Sequence, residues 1–241
     1  MDKYVNIGSR IIECRKKKRL SQKGFLASIM EESGCCDDMS DATLSKIEQG
    51  DSLPSAEFLV GLNRTFFVTP DYILFGEERL PVFQLADTLK RLSENEFERF
   101  FTLLCDLSEK WAHPAKPKNT AHRSADGNPI ILDVSRRLQE VRKQKHLNQS
   151  ELAKLLGVSR NTVSANERIL ERKPNGNQYL FPPMHYIYTF CQKLDVSASY
   201  ILDAYCGISP RLFRFQEALP DFSHSTQLQL VKKILQQLNL A

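Results

Sequence analysis

Glycine is scarce in this chain, 10 residues in 241, and alternation of apolar and polar side chains is hard to find anywhere along it. Half-buried strands show a period of two, so the chain reads as helical rather than as a sheet with one solvated face. No apolar run approaches the roughly 20 residues that cross a bilayer. The opening MDKYVNIGSR holds no apolar signal core, so a reducing cytosol is the expected compartment. Neither a G-x-S-x-G nucleophile turn nor a glycine loop built to cradle phosphate occurs, and enzyme activity is not expected. The five histidines (His113, His122, His146, His185, His224) keep no ligand spacing. Six cysteines (Cys14, Cys35, Cys36, Cys105, Cys191, Cys206) do not make a disulfide scaffold in a chain of this size. The adjacent pair Cys35-Cys36 lacks a second Cys or His pair and reads as an ordinary loop, so no metal or other cofactor is expected. Charge of one sign is lacking too. The formal net charge of +4 is compatible with a nucleic-acid partner but does not argue for one.

What the chain does have is helical periodicity, and it has it twice. Residues 113–129, HPAKPKNTAHRSADGNP, carry no apolar period and read as a linker. The segments on either side superimpose as an internal repeat. Arg15 falls on Arg142, Leu20 on Leu147, Gln22 on Gln149 and Phe25 on Leu152; after a gap, Ser40, Thr43, Leu44, Ser45 and Glu48 fall on Ser159, Thr162, Val163, Ser164 and Glu167. Further on, VTPDYIL falls on VSASYIL. Each tail reads as two helices broken at a capping serine, Ser93 in one and Ser223 in the other. The expected organisation is a first domain over 1–80 with a helical extension over 81–112, then the linker, a second domain over 130–206 and a C-terminal extension over 207–241.

In the second copy Asn148 is a good N-cap, and Leu152, Leu155 and Leu156 line one side of the short helix that follows. Ala153 allows close approach of a neighbouring helix, Gly157 supplies a tight turn, and Ser159 caps the next helix. Val163 faces inward there, which leaves Arg160, Asn161, Ser164 and Ala165 facing out. Two helices joined by a short glycine turn, the second presenting polar side chains, form a helix-turn-helix pattern.

With SRRLQEVRKQKHLNQSELAKLLGVSRNTVSANE in one copy and SRIIECRKKKRLSQ…SDATLSKIEQG in the other, the chain resembles the Cro/phage-repressor (XRE-like) helix-turn-helix regulators. The resemblance implies an all-α chain of two tandem five-helix lambda-repressor-like domains, each followed by a short helical hairpin. It further implies that the third helix of each domain enters the major groove of double-stranded DNA. Structural ion pairs are implied between Arg15 and Glu48 and between Arg142 and Glu167. Arg160 and Asn161 would read bases, since Arg suits guanine and Asn suits adenine. Gln149, Ser159, Thr162, Ser164 and Ala165 complete the expected contact set, with Gln22, Ser40, Asp41, Thr43 and Lys46 as its counterpart in the first copy.

The copies are chemically unequal. Asp41 and Ala42 stand where the second copy has Arg160 and Asn161, and EESGCCDDM widens the first copy's turn. Over residues 134–173 ten basic side chains face four acidic ones, a surplus of six; over residues 1–50 nine face eight, a surplus of one. The second copy is therefore the expected reader, although a run of basic residues, RKKKR over 15–19, belongs to the first. The second copy departs from the family pattern as well. Asn166 and Ile169 replace an apolar residue and a glycine, and RILERKPNGNQYLFPP is inserted, with Lys173 to Asn177 reading either as a basic wing on the DNA backbone or as a surface loop. The expected function is a sequence-specific transcriptional regulator, a repressor of a mobile-element, phage or own-operon promoter. The other reading is an adaptor or antitoxin-like factor whose acidic first domain binds a regulatory protein partner. Divergence of the copies favours a homodimer of second copies on a palindrome; an internal pseudo-dimer is the remaining arrangement.

Overall fold

The computed structural model describes residues 4–36, 39–79, 86–111, 131–168, 182–202 and 224–238, and all regular structure among them is helical. The linker 113–129, the wing, Asp37, Asp38 and Ser223 lie outside the described residues. The first unit runs α1 (Val5–Lys17), α2 (Gln22–Ser33), α3 (Asp41–Gln49), α4 (Ala56–Phe66) and α5 (Pro70–Phe75). Its boundaries are chemical. Ser21, Ser40, Ser55 and Thr69 each accept a backbone N–H from the first turn of the helix that follows, and Gly34, Gly50 and Gly76 end helices in the left-handed conformation. Ile11, Phe25, Ile29, Leu44, Phe58, Leu59, Leu62 and Ile73 are fully buried and form the core that these elements share.

The second unit repeats the design with α8 (Ile131–Gln144), α9 (Gln149–Leu156), α10 (Arg160–Asn166), α11 (Met184–Leu194) and α12 (Ala198–Ile201). Asn148 and Glu151 form a complete capping box at α9, and Ser159 and Ser197 cap α10 and α12. Even the strained backbone is repeated. Arg19 and His146 sit at φ 57° and 56°, and Phe67 and Asp195 at 59° and 57°. Arg10 donates to the carbonyls of Ile73 and Leu74 at the end of α5, and its counterpart Arg137 donates to that of Tyr200 in α12.

Two elements extend the first unit, α6 (Ala86–Arg91) and α7 (Glu94–Trp111), separated as expected at Ser93, whose hydroxyl and N–H both donate to the Glu96 carboxylate. Helix α13 (His224–Gln237) follows the second unit. Phe97, Phe100 and Leu104 of α7 pack with Leu230, Val231, Ile234 and Leu235 of α13 into a separate small core. The apolar stripes of the two tails thus cover each other within one chain.

The units themselves meet through α5 and α12, two elements that the repeat makes equivalent. Buried Asp71 accepts from the Ser197 hydroxyl and from the Ala198 N–H (2.7 Å), while the Asp71 N–H donates to the Ser199 hydroxyl (3.4 Å). Phe75 stacks on Tyr188 at 5.4 Å between centroids, Arg79 lies over Phe75, and its guanidinium donates to the Cys191 carbonyl.

Candidate nucleic-acid interface

In the second copy, Ser159 starts α10 by accepting the Thr162 N–H at 3.1 Å, and Val163 plugs the core with no exposure. Seven residues at 3.6 per turn make barely two turns, so anchoring one side at Val163 turns Arg160, Asn161 and Ala165 outward. All three are exposed, and Ser164 is half-buried. In α3, Asp41, Ala42, Thr43 and Lys46 are exposed around buried Leu44 and Ile47. The hydroxyl pairs Ser40–Thr43 (3.0 Å) and Ser159–Thr162 (2.9 Å) occupy the same place in both copies.

A buried ion pair fixes the angle of each presenting helix. Arg142 meets Glu167 through two parallel hydrogen bonds of 2.6 and 2.8 Å, and Arg15 meets Glu48 at 2.7 and 2.9 Å. The fork geometry matches guanidinium to carboxylate, and the hydrogen bond to the glutamate raises the pKa of each arginine. The third guanidinium nitrogen reaches the carbonyl of Leu147 in one copy and of Leu20 in the other. The pair therefore ties the start of the turn to the end of the presenting helix. Burial is deeper in the second copy, where the glutamate side chain is 1% exposed against 5% in the first.

The glutamines are the residues whose placement differs most from what the sequence suggests. A polar residue opening a helix-turn-helix suits phosphate, yet Gln149 Nε2 donates to Glu167 at 3.2 Å, and Gln22 does the same to Glu48 at 2.8 Å. Each glutamine is a third member of its buried ion pair, an arrangement that spacing alone does not reveal. The other residue that the sequence leaves unmarked is Asp71, which caps α12 from 126 residues away.

Electrostatics separate the two heads. Exposed Lys143, Lys154, Arg160 and Arg168 accompany the second, with exposed Glu151. The first has exposed Lys16, Lys17, Lys18, Arg19, Lys23 and Lys46, but also exposed Glu31, Glu32 and Asp41. Lys17 is further engaged by Glu13 at 2.8 Å, and Lys18 lies over the Phe66 ring at 5.6 Å. Part of the RKKKR run thus serves the end of α1, where cations suit the helix dipole.

Comparison with protein-family models agrees with this geometry: the Helix-turn-helix model matches residues 11–73 and again residues 138–176. The chain carries two tandem Cro/phage-repressor-type (XRE-like) helix-turn-helix domains. DNA-binding transcriptional regulation is the kind of function that this family carries. No curated protein and no solved structure matches the chain. Among the described residues no cluster of three or more His, Cys, Asp or Glu is placed to hold a metal ion, and no helix is long and apolar enough to cross a membrane.

Proposed function

We propose that this protein is a sequence-specific transcriptional regulator that represses a mobile-element, phage or own-operon promoter and reads the major groove chiefly with its second helix-turn-helix domain. One observation carries the reading. Arg160 and Asn161 are exposed side by side at the start of a helix whose tilt is fixed by the buried Arg142–Glu167–Gln149 set. An arginine and an asparagine so presented match the paired groups on guanine and adenine edges, each worth about 1–3 kcal/mol of discrimination. The surrounding lysines and arginines supply the sequence-independent attraction to phosphate. Asp41 and Ala42 give the first domain a weaker or different role, with its acidic turn available to a regulatory protein partner.

The test is fluorescence anisotropy with duplex DNA from upstream of the coding region, at two salt concentrations. Tight binding that weakens steeply with salt is expected. Arg160→Ala should cost about 1–3 kcal/mol and relax the preference at one base pair. Binding of protein but of no duplex at any salt would replace this reading with the adaptor one.

A further inference from the structure

The contact between the two units is made by equivalent residues. In the repeat, Asp71 and Ser199 occupy the same position of α5 and α12, 128 residues apart. Asp71 holds the first turn of α12, and Ser199 accepts from the first turn of α5. A groove of about 350 Å³ also lies between the units, where the start of α4 (Pro54, Ser55, Ala56), together with Thr43 and Ile47 of α3, borders Pro182, Pro183 and Met184 at the start of α11. Residues 54–56 and 182–184 are equivalent in the repeat. Contacts in which a surface meets its own counterpart define a two-fold relation. A two-fold operation that exchanges Asp71 with Ser199 would also exchange α3 with α10, the two presenting helices of one chain.

Asp71 and Ser199 are completely buried, and the apolar faces of α7 and α13 are closed on each other. Pairing is satisfied internally at both the heads and the tails. We infer that one chain binds one DNA site as a built-in dimer, with the second domain on one half-site and the first domain on an unlike half-site a helical turn away. The half-sites differ because the heads do: Arg160 and Asn161 fit guanine and adenine, whereas Asp41 accepts from the amino group of cytosine. This rests on the DNA-reading role proposed above. Holding two heads at fixed spacing makes the second contact intramolecular, which raises affinity by about 10²–10⁴-fold over a single head.

The experiment uses the full chain and duplexes selected by it from a randomised library. Complex mass is read by sedimentation equilibrium and contacts by hydroxyl-radical footprinting. One chain per duplex is expected, with two protected patches of unlike sequence centred about 10 base pairs apart. Arg160→Ala with Asn161→Ala should relax one patch only, and Asp41→Ala the other only. Inserting five base pairs between the patches should weaken binding at least about tenfold, because it rotates one half-site by half a helical turn. Ser199→Ala, chosen because it alters the junction mildly, should blunt that spacing effect while the circular dichroism spectrum stays unchanged. Two chains on a palindrome, or a single protected patch, would overturn the pairing while leaving DNA reading intact. Failure to enrich any duplex at low salt would overturn DNA reading itself.

Discussion

Laid over each other, the two helix-turn-helix domains agree where geometry is at stake and differ where chemistry is. The arginine–glutamate–glutamine set, the serine caps, the left-handed residue after the first helix and the arginine that caps the fifth helix are present in both. The presenting helices share their serine caps but differ in length and in how they end. Helix α3 has nine residues and ends at Gly50 with φ 86°, whereas α10 has seven and ends at Glu167 in a right-handed conformation. Gly50 leaves α3 room to end against the start of α1, since a Cβ there would lie 2.6 Å from the Val5 nitrogen. A duplicated scaffold tolerates change on its outward face, where substitution costs little stability, far more readily than at the buried pairs that orient it.

Removing one glutamate at a time puts the largest load on this contrast between the domains. Glu167→Ala leaves Arg142 buried without its partner and is expected to cost about 3–5 kcal/mol in urea denaturation. Glu48→Ala should cost less, because Arg15 is more exposed and can recover water. Equal losses would mean that depth of burial does not set the value of the pair.

A smaller difference is expected where the first helix of each domain meets the third. Gly8 of α1 lies so close to the end of α3 that an added Cβ would sit 2.3 Å from the Glu48 carbonyl oxygen. At the equivalent position α8 carries buried Ser135. Gly8→Ser is expected to destabilise by about 1–3 kcal/mol through overpacking, and Ser135→Gly by about 0.5–1 kcal/mol through added backbone freedom. Comparable small losses from both would show that α1 can shift away from α3.

The smallest effect concerns the boundary between the units. Burial lifts the Glu78 carboxyl to about 7, opposed by the Thr69 hydroxyl and assisted by nearby Asp71, itself raised chiefly by burial. A raised folded-state value means that the native protein holds a proton that the unfolded chain releases. That stability is present in full below the ordinary value of 4.5 and is lost as pH rises through about 7. Glu78→Gln keeps an acceptor for Thr69 and removes the charge. Its Tm should match the parent at about pH 4 and exceed it by roughly 2–4 °C at about pH 8, with Asp71 retaining a residual slope. A constant offset at both pH values would assign the effect to packing.

Much of the fold is legible in the order of residues, because it is local. Caps lie within three residues of the N–H groups they satisfy, so Ser40, Ser159, Asn148 and Gly157 mark the ends of helices by their chemistry and position alone. The repeat implies that whatever holds one copy holds the other, and the exposed start of α10 follows from Val163 facing in. The remainder lies between distant residues. Gln22 and Gln149, polar residues at the start of a helix, look like surface contacts until packing brings the glutamate of another helix beneath them. Asp71 and Ser199 read as ordinary first-turn residues of two short helices; the repeat marks them as equivalent, but nothing in their spacing says that they touch. Two helical units with outward-facing presenting helices follow from residue order, since helix formation and capping are short-range. Which surfaces those units turn toward each other was settled only when burial brought equivalent elements into contact, since the free energy of that contact depends on shapes that exist only after both units have folded.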